Sequence, residues 1–162
     1  MATAGVIKTP NINHVTVTVD PSLLQGDKLE KLRDFCENVL DWKEEKQWTE
    51  IGKHLVFRLY HRGHFLNLLG GKPRVVEGLH DHIGIEIYTR EDLEYFNKKA
   101  KEYKAKKDPF CHVDDIYKGG VNTLELPHWQ NYSFYVIYLL PLKIEFQYHE
   151  NLKEAVKGPA TY

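Results

Sequence analysis

The chain has 162 residues, and its 22 Lys and Arg against 23 Asp and Glu leave a formal net charge of −1. That suits one compact domain, residues 1–162, and excludes a nucleic-acid binder that works by overall positive charge. Two cysteines are too few for a disulfide framework or a structural zinc site and suit a reducing cytoplasm; no apolar run is long enough to span a membrane, and residues 1–10 lack the apolar core of a signal peptide.

Residues 11–19, from Asn11 to Val19, alternate strictly. Val15, Val17 and Val19 fill one face, and His14, Thr16 and Thr18 the other, which predicts a half-buried strand. Asp27 and Glu30 have the spacing of a helix N-cap and its reciprocal partner. Leu29, Leu32, Phe35, Cys36, Val39 and Leu40 follow at helical spacing, so a helix is expected over about 28–40. Three strands come next, Trp42 to Thr49, His54 to Tyr60 and His64 to Leu69, separated by Gly52, Gly63 and Gly70-Gly71. If Leu55, Phe57 and Leu59 pack on the helix, then His54, Val56, Arg58 and Tyr60 face a polar space. Arg58 then either pairs with a substrate carboxylate through its two-pronged guanidinium or sits on an exposed edge strand.

After a linker from Gly70 to Gly78 the order repeats. Residues 79–87 superpose on 11–19 with His82 over His14: Ile83, Ile85 and Ile87 fill one face, and His82, Gly84 and Glu86 the other. Thr89 is a plausible N-cap, Glu91 and Asp92 fall in the first turn, and Leu93, Phe96, Ala100 and Tyr103 mark the helix. The lysines between Lys98 and Lys107 close it as a solvated face. Strands follow around Val113 to Tyr117 continuing through Asn122 to Leu126, then Tyr132 to Leu139, then Leu142 to Tyr148, with Pro141 in the last turn.

The chain is therefore two copies of strand, helix and three strands. The expected fold is α+β, with paired βαβββ modules over about 10–71 and 78–150 and a tail over 151–162. The halves should pair in one domain, because neither copy can easily bury its sheet face alone. Pairing within one chain and pairing across a homo-oligomer are both compatible with the linker.

In the last strand Ile144 and Phe146 share one face and Lys143, Glu145 and Gln147 the other. A carboxylate centred in an apolar strand is costly to bury without a cation, a donor set or a metal. The first copy has Asn67 at the position of Glu145. Four corresponding positions result: His14 and Asn67, His82 and Glu145. Two histidines and one carboxylate make a facial set for a divalent metal with open positions, and Asn67, a weak ligand, agrees with an open coordination sphere. The plainer alternative makes His14 and His82 strand-start histidines bonded to backbone, and Glu145 a surface residue.

On these residues the chain resembles the vicinal oxygen chelate superfamily of glyoxalases, fosfomycin resistance proteins, methylmalonyl-CoA epimerases and extradiol dioxygenases, over about residues 10–150. The resemblance implies a curved mixed sheet around a metal cavity, in which His14, His82 and Glu145 bind the metal. It also favours a single-domain extradiol dioxygenase, because His128, Phe134-Tyr135, Pro141 and Glu145 follow the order and spacing of that group. Such an enzyme would use Fe(II), with Mn, Ni or Zn as alternatives, and O2 to cleave a small, DOPA-like catechol. His128 and Tyr135 would manage protons beside the substrate, and Arg58, Tyr60 and Asn67 would contact it. Three departures stand out. The turn has Tyr138-Leu139 where the group has an acidic or small residue followed by Pro, Leu126 lies two before His128, and a further histidine of the group aligns near Asn67, leaving His64 or His80 to substitute. Two alternatives remain: a glyoxalase- or epimerase-type isomerase in which the metal stabilises an enediolate, and a metal-free sequestering protein of the bleomycin-resistance kind.

Overall fold

A computed structural model describes residues 14–59, 64–73, 82–121 and 129–152. The first module runs β1 (His14–Val19), a 3-10 turn (Pro21–Leu24), α1 (Gly26–Asn38), β2 (Lys43–Glu44), a second 3-10 turn (Lys46–Trp48), β3 (His54–Arg58) and β4 (Phe65–Gly70). The second runs β5 (His82–Ile87), α2 (Arg90–Lys106), β6 (His112–Val113), β7 (Tyr117–Val121), β8 (Trp129–Ile137) and β9 (Lys143–Asn151). Each module builds its own sheet, in the orders β1-β4-β3-β2 and β5-β9-β8-β6, with β7 also on β8.

The internal repeat survives at the level of register. β1 pairs parallel with β4 and places Thr16 opposite Asn67; β5 pairs parallel with β9 and places Gly84 opposite Glu145. Asn67 and Glu145 are therefore structural counterparts, each across from the residue two after its module's strand-start histidine. The remaining pairs are antiparallel. β1 and β5 each lie at the end of their sheet order.

The apolar alternation does what the pattern predicts. Val17 and Val19 turn inward with Leu55, Phe57, Leu66 and Leu68 to meet Leu29, Leu32, Phe35 and Cys36 of α1. Leu93, Ala100 and Tyr103 of α2 pack with Ile87, Phe134, Ile144 and Phe146. Phe134 and Phe146 stack at 4.6 Å with rings 3° apart, and burial of each such side chain stabilises by about 1.5–3 kcal/mol. Both cysteines are buried free thiols.

The modules join on their helix side. Phe35 of α1 meets Tyr138 at 4.9 Å and Tyr103 of α2 at 5.5 Å. Beneath them Asp108 accepts hydrogen bonds from Lys31 Nζ at 2.8 Å and Tyr138 Oη at 2.9 Å. Lys99 reaches Asp41 at 2.9 Å. Burial lifts the Tyr103 hydroxyl to about 12, and burial followed by the Asp108 hydrogen bond raises Tyr138 as well, so both phenols stay neutral donors.

Three sequence expectations change. Asp27 sits in the first turn of α1 and does not cap it: Gln25 holds the N-cap position without a side-chain bond, after which Gly26 turns the chain with φ +57°. Asp20 instead caps the preceding 3-10 turn, accepting from Ser22 N at 2.8 Å. The strand expected over Trp42 to Thr49 shrinks to two residues, because Trp42 is drawn into the core while Arg33 grips Glu44 through two hydrogen bonds of 2.8 Å, and the chain then coils through Lys46–Trp48. The strand around Val113 to Tyr117 is interrupted: β6 and β7 both lie along β8, with 114–116 looping between them and Asp114 N still donating to Tyr135 O at 3.0 Å. Its continuation to Leu126 lies outside the described residues. The paired modules form two mixed sheets sharing one core, as the repeat predicts.

Candidate metal centre

β9 runs between β5 and β8, so Glu145 sits mid-strand with Gly84 across from it on one side and Tyr135 on the other. Its residue is only 6 % exposed, and a carboxylate so buried requires partners. His82 supplies one, its Nε2 lying 3.1 Å from Glu145 Oε2. Tyr135 stands across from it on β8. Burial first, and then the neighbouring Glu145 carboxylate and the charge of Asp114, raise the Tyr135 phenol above its ordinary range, so Tyr135 keeps its proton. The His82 ring stands edge-on to Tyr135 at 5.7 Å and 86°.

Two donors of the kind a divalent ion takes stand together here. Two donors each about 2.1 Å from a common ion and roughly at right angles lie about 3 Å apart, and His82 and Glu145 have that separation. An imidazole and a carboxylate suit Mn, Fe, Ni or Zn. A Cβ at Gly84, directly across from Glu145, would meet no atom within 4 Å, so there is room beside the pair.

His14 does not complete the set within the chain. It begins β1 opposite Phe65 on the other sheet, and among the described residues no three His, Cys, Asp or Glu come together. The physical reason is the way the modules meet: their shared core is built from the helix side, whereas His14 and Glu145 lie on sheet faces of opposite parity to the core-facing residues. Asn67 stays with its own module, its Nδ2 donating to Thr16 Oγ1 at 3.4 Å. Arg58 is engaged by Glu45, Nε to Oε1 at 3.2 Å, so its charge is already balanced. His128, Tyr60 and His80 lie outside the described residues. His149 shares the face of Glu145 and stands opposite Asn131; His64 accepts from Leu59 N through its carbonyl oxygen.

Two features escaped sequence reasoning. Asp114 fastens to Tyr135 through the backbone and holds His112 Nε2 at 2.8 Å; the alternation His112-Val113-Asp114 was the available signal. Gly84 was read only as one member of a polar face. A cavity of about 700 Å³ between α1 and the β2–β3 region is lined by Arg33, Glu44, Trp42 and Phe57, and its guanidinium is already bound by Glu44 and Glu30. That space contains neither His82 nor Glu145.

No protein-family model matches the sequence, and no curated protein matches it. Solved structures do match. A glyoxalase/bleomycin resistance protein/dioxygenase from Alicyclobacillus acidocaldarius superposes with TM-score 0.58 and 16% identity over 86% of this chain and 91% of its own. The chain thus has the vicinal oxygen chelate fold. Among the particular proteins that share it, the fosfomycin resistance protein FosX from Listeria monocytogenes superposes with TM-score 0.60 and 15% identity over 93% of this chain and 100% of its own. A variant of the Listeria protein, determined with Mn(II) and 1S,2S-dihydroxypropylphosphonic acid, gives 0.55 and 16% over 93% and 98%. Among the described residues no helix is long and apolar enough to cross a membrane.

Proposed function

We propose that the chain is a divalent-metal-dependent enzyme of the glyoxalase or epimerase type, acting on a small substrate that presents two neighbouring oxygens. His82 and Glu145 hold the ion, and His14 of a second copy completes the facial set. The observation that carries this reading is the 3.1 Å contact between His82 Nε2 and the buried Glu145 carboxylate, in a chain whose third candidate ligand lies on the other sheet. The Mn(II) in the Listeria variant supports a divalent ion in this fold.

When bound, the ion supplies Lewis-acid polarisation of substrate oxygens. The protein's own residues do the rest. Glu145 is flanked by Tyr135 across β8 and by His82, whose Nε2 faces one carboxylate oxygen, and such neighbours orient a metal ligand. Tyr135 retains its proton and can share it with a substrate oxygen that gains negative charge. The His112–Asp114 pair stands on the far side of Tyr135.

A second reading, extradiol cleavage of a small catechol with Fe(II) and O2, is favoured by one observation: Tyr135 lies against the ligand carboxylate, as the motif order implies. Subunit complementation tests the shared part. His14→Ala and Glu145→Ala proteins should each fail to bind Mn(II), and a co-refolded mixture should regain binding in hybrid dimers. A His14→Ala protein with full Mn(II) affinity would sink the two-copy site. Oxygen uptake on a catechol panel after Fe(II) loading would move the assignment to the second reading.

A further inference from the structure

One sheet face of the second module carries two imidazole–carboxylate pairs, with Tyr135 between them. Across the strands the row runs Gly84 on β5, Glu145 on β9, Tyr135 on β8 and then Asp114, which continues the β6 register and donates its N–H to Tyr135 O at 3.0 Å. His82 Nε2 lies 3.1 Å from Glu145 Oε2. At the other end His112, opposite Ile137 on β8, has its Nε2 2.8 Å from Asp114 Oδ1. Residues opposite one another in a ladder share a face, so both pairs and the phenol border the same space. Two strand spacings set Glu145 and Asp114 about 10 Å apart along the backbone. A small substrate lying over Tyr135 bridges that span.

Stability does not account for the second pair. Its side chains are 57 % and 44 % exposed, and an exposed ion pair adds little. What the contact fixes is chemistry. A carboxylate only accepts, so the imidazole nitrogen facing it must donate. Nε2 therefore carries a proton, the ring is held in one orientation, and Nδ1 of the neutral ring is the basic nitrogen.

We propose that His112, oriented by Asp114, is the residue that moves the proton between carbons in this enzyme. With a substrate held at Glu145, His112 Nδ1 takes a proton from the carbon next to a carbonyl. The C–H electron pair moves into a new C=C bond, and the carbonyl π pair moves onto its oxygen beside Tyr135. Nδ1–H then returns the proton to the neighbouring carbon as the hydroxyl proton passes between the two oxygens, which completes an isomerisation without a further reactant. This rests on the metal-dependent isomerase reading and adds the base to it.

The test uses the full-length protein loaded with Mn(II) and its His112→Ala and Asp114→Asn variants. Mn(II) affinity and thermal unfolding are measured first. Deuterium uptake from deuterium oxide into hydroxyacetone, dihydroxyacetone and glyceraldehyde is then followed by mass spectrometry. Both variants should bind Mn(II) and unfold as the unaltered protein does. His112→Ala should slow uptake by about 100-fold or more, and added imidazole should restore part of the rate, because an exposed site admits the free base. Asp114→Asn should slow uptake without such rescue. An unchanged rate in His112→Ala overturns the role of His112 and leaves the proposed function standing. So does a loss that imidazole does not mend, which makes the pair structural. A lowered Mn(II) affinity in His112→Ala overturns the role too, since the pair would then serve the ion. No uptake into any of the three compounds by the unaltered protein removes the proton-transfer reading and this inference together.

Discussion

The two modules are the same device with different contents. β1 and β4 set His14 two residues from the Thr16–Asn67 pair; β5 and β9 set His82 two residues from the Gly84–Glu145 pair. In the first module the central pair is closed on itself by the Asn67 to Thr16 hydrogen bond at 3.4 Å. In the second the carboxylate faces an imidazole and a phenol with an empty flank. Identical backbone pairing thus produces a neutral amide contact in one half and a charged donor set in the other, and the difference lies in two side chains.

The sharpest way to break that comparison is Glu145→Ala against Asn67→Ala. The first should abolish Mn(II) binding in a calorimetric titration, whereas the second should leave it measurable; a Glu145→Ala protein that binds as before would refute the ligand assignment. Next in size is the core beneath the charged pair. Phe146→Ala, which removes one half of the Phe134 stack, should cost about 3–5 kcal/mol in urea unfolding. A loss below about 1 kcal/mol would mean that the stack is not a packed core.

Tyr135→Phe should keep the fold and lower Mn(II) affinity by about 10- to 100-fold, as loss of a polar neighbour of a metal ligand does. Unchanged affinity would place the Tyr135 hydroxyl outside the site's support. The smallest effect concerns the junction. The Lys31 hydrogen bond, with the Phe110 backbone amide next, holds the Asp108 carboxyl below its ordinary 3.8. A group whose pKa is depressed on folding stabilises fully above its unfolded value, and that stability is lost as pH falls through the folded value. Asp108→Asn should therefore lower the urea midpoint at neutral pH, and the gap to the unaltered protein should narrow as pH drops below about 4. A gap that is constant with pH would mean that the Asp108 charge plays no part.

Local order was legible wherever one rule dominated. The Val and Ile alternation gave β1 and β5, and Thr89 caps α2 as expected, accepting from Asp92 N at 3.0 Å. The repeat gave the correspondence of Asn67 with Glu145, and the apolar setting of Glu145 signalled a buried carboxylate in need of a partner. Where tertiary contacts compete with local pattern, the sequence misleads. Residues 42–49 alternate well enough for a strand, but Trp42 enters the core and Arg33 captures Glu44, so the pattern yields to packing. The path of His14 was hidden for a different reason: which sheet faces another depends on how α1 and α2 meet, through Phe35, Tyr103 and Asp108, and no period in the sequence encodes that meeting.

The placement of β1 and β5 at the ends of their sheets has a consequence for handling the protein. Among the described residues the strands that begin with His14 and His82 leave one edge unpaired and carry the β-branched runs Val15-Val17-Val19 and Ile83-Ile85-Ile87, which makes them natural templates for unwanted strand addition and aggregation. Conditions that keep those edges covered by a proper partner should protect the protein from precipitation.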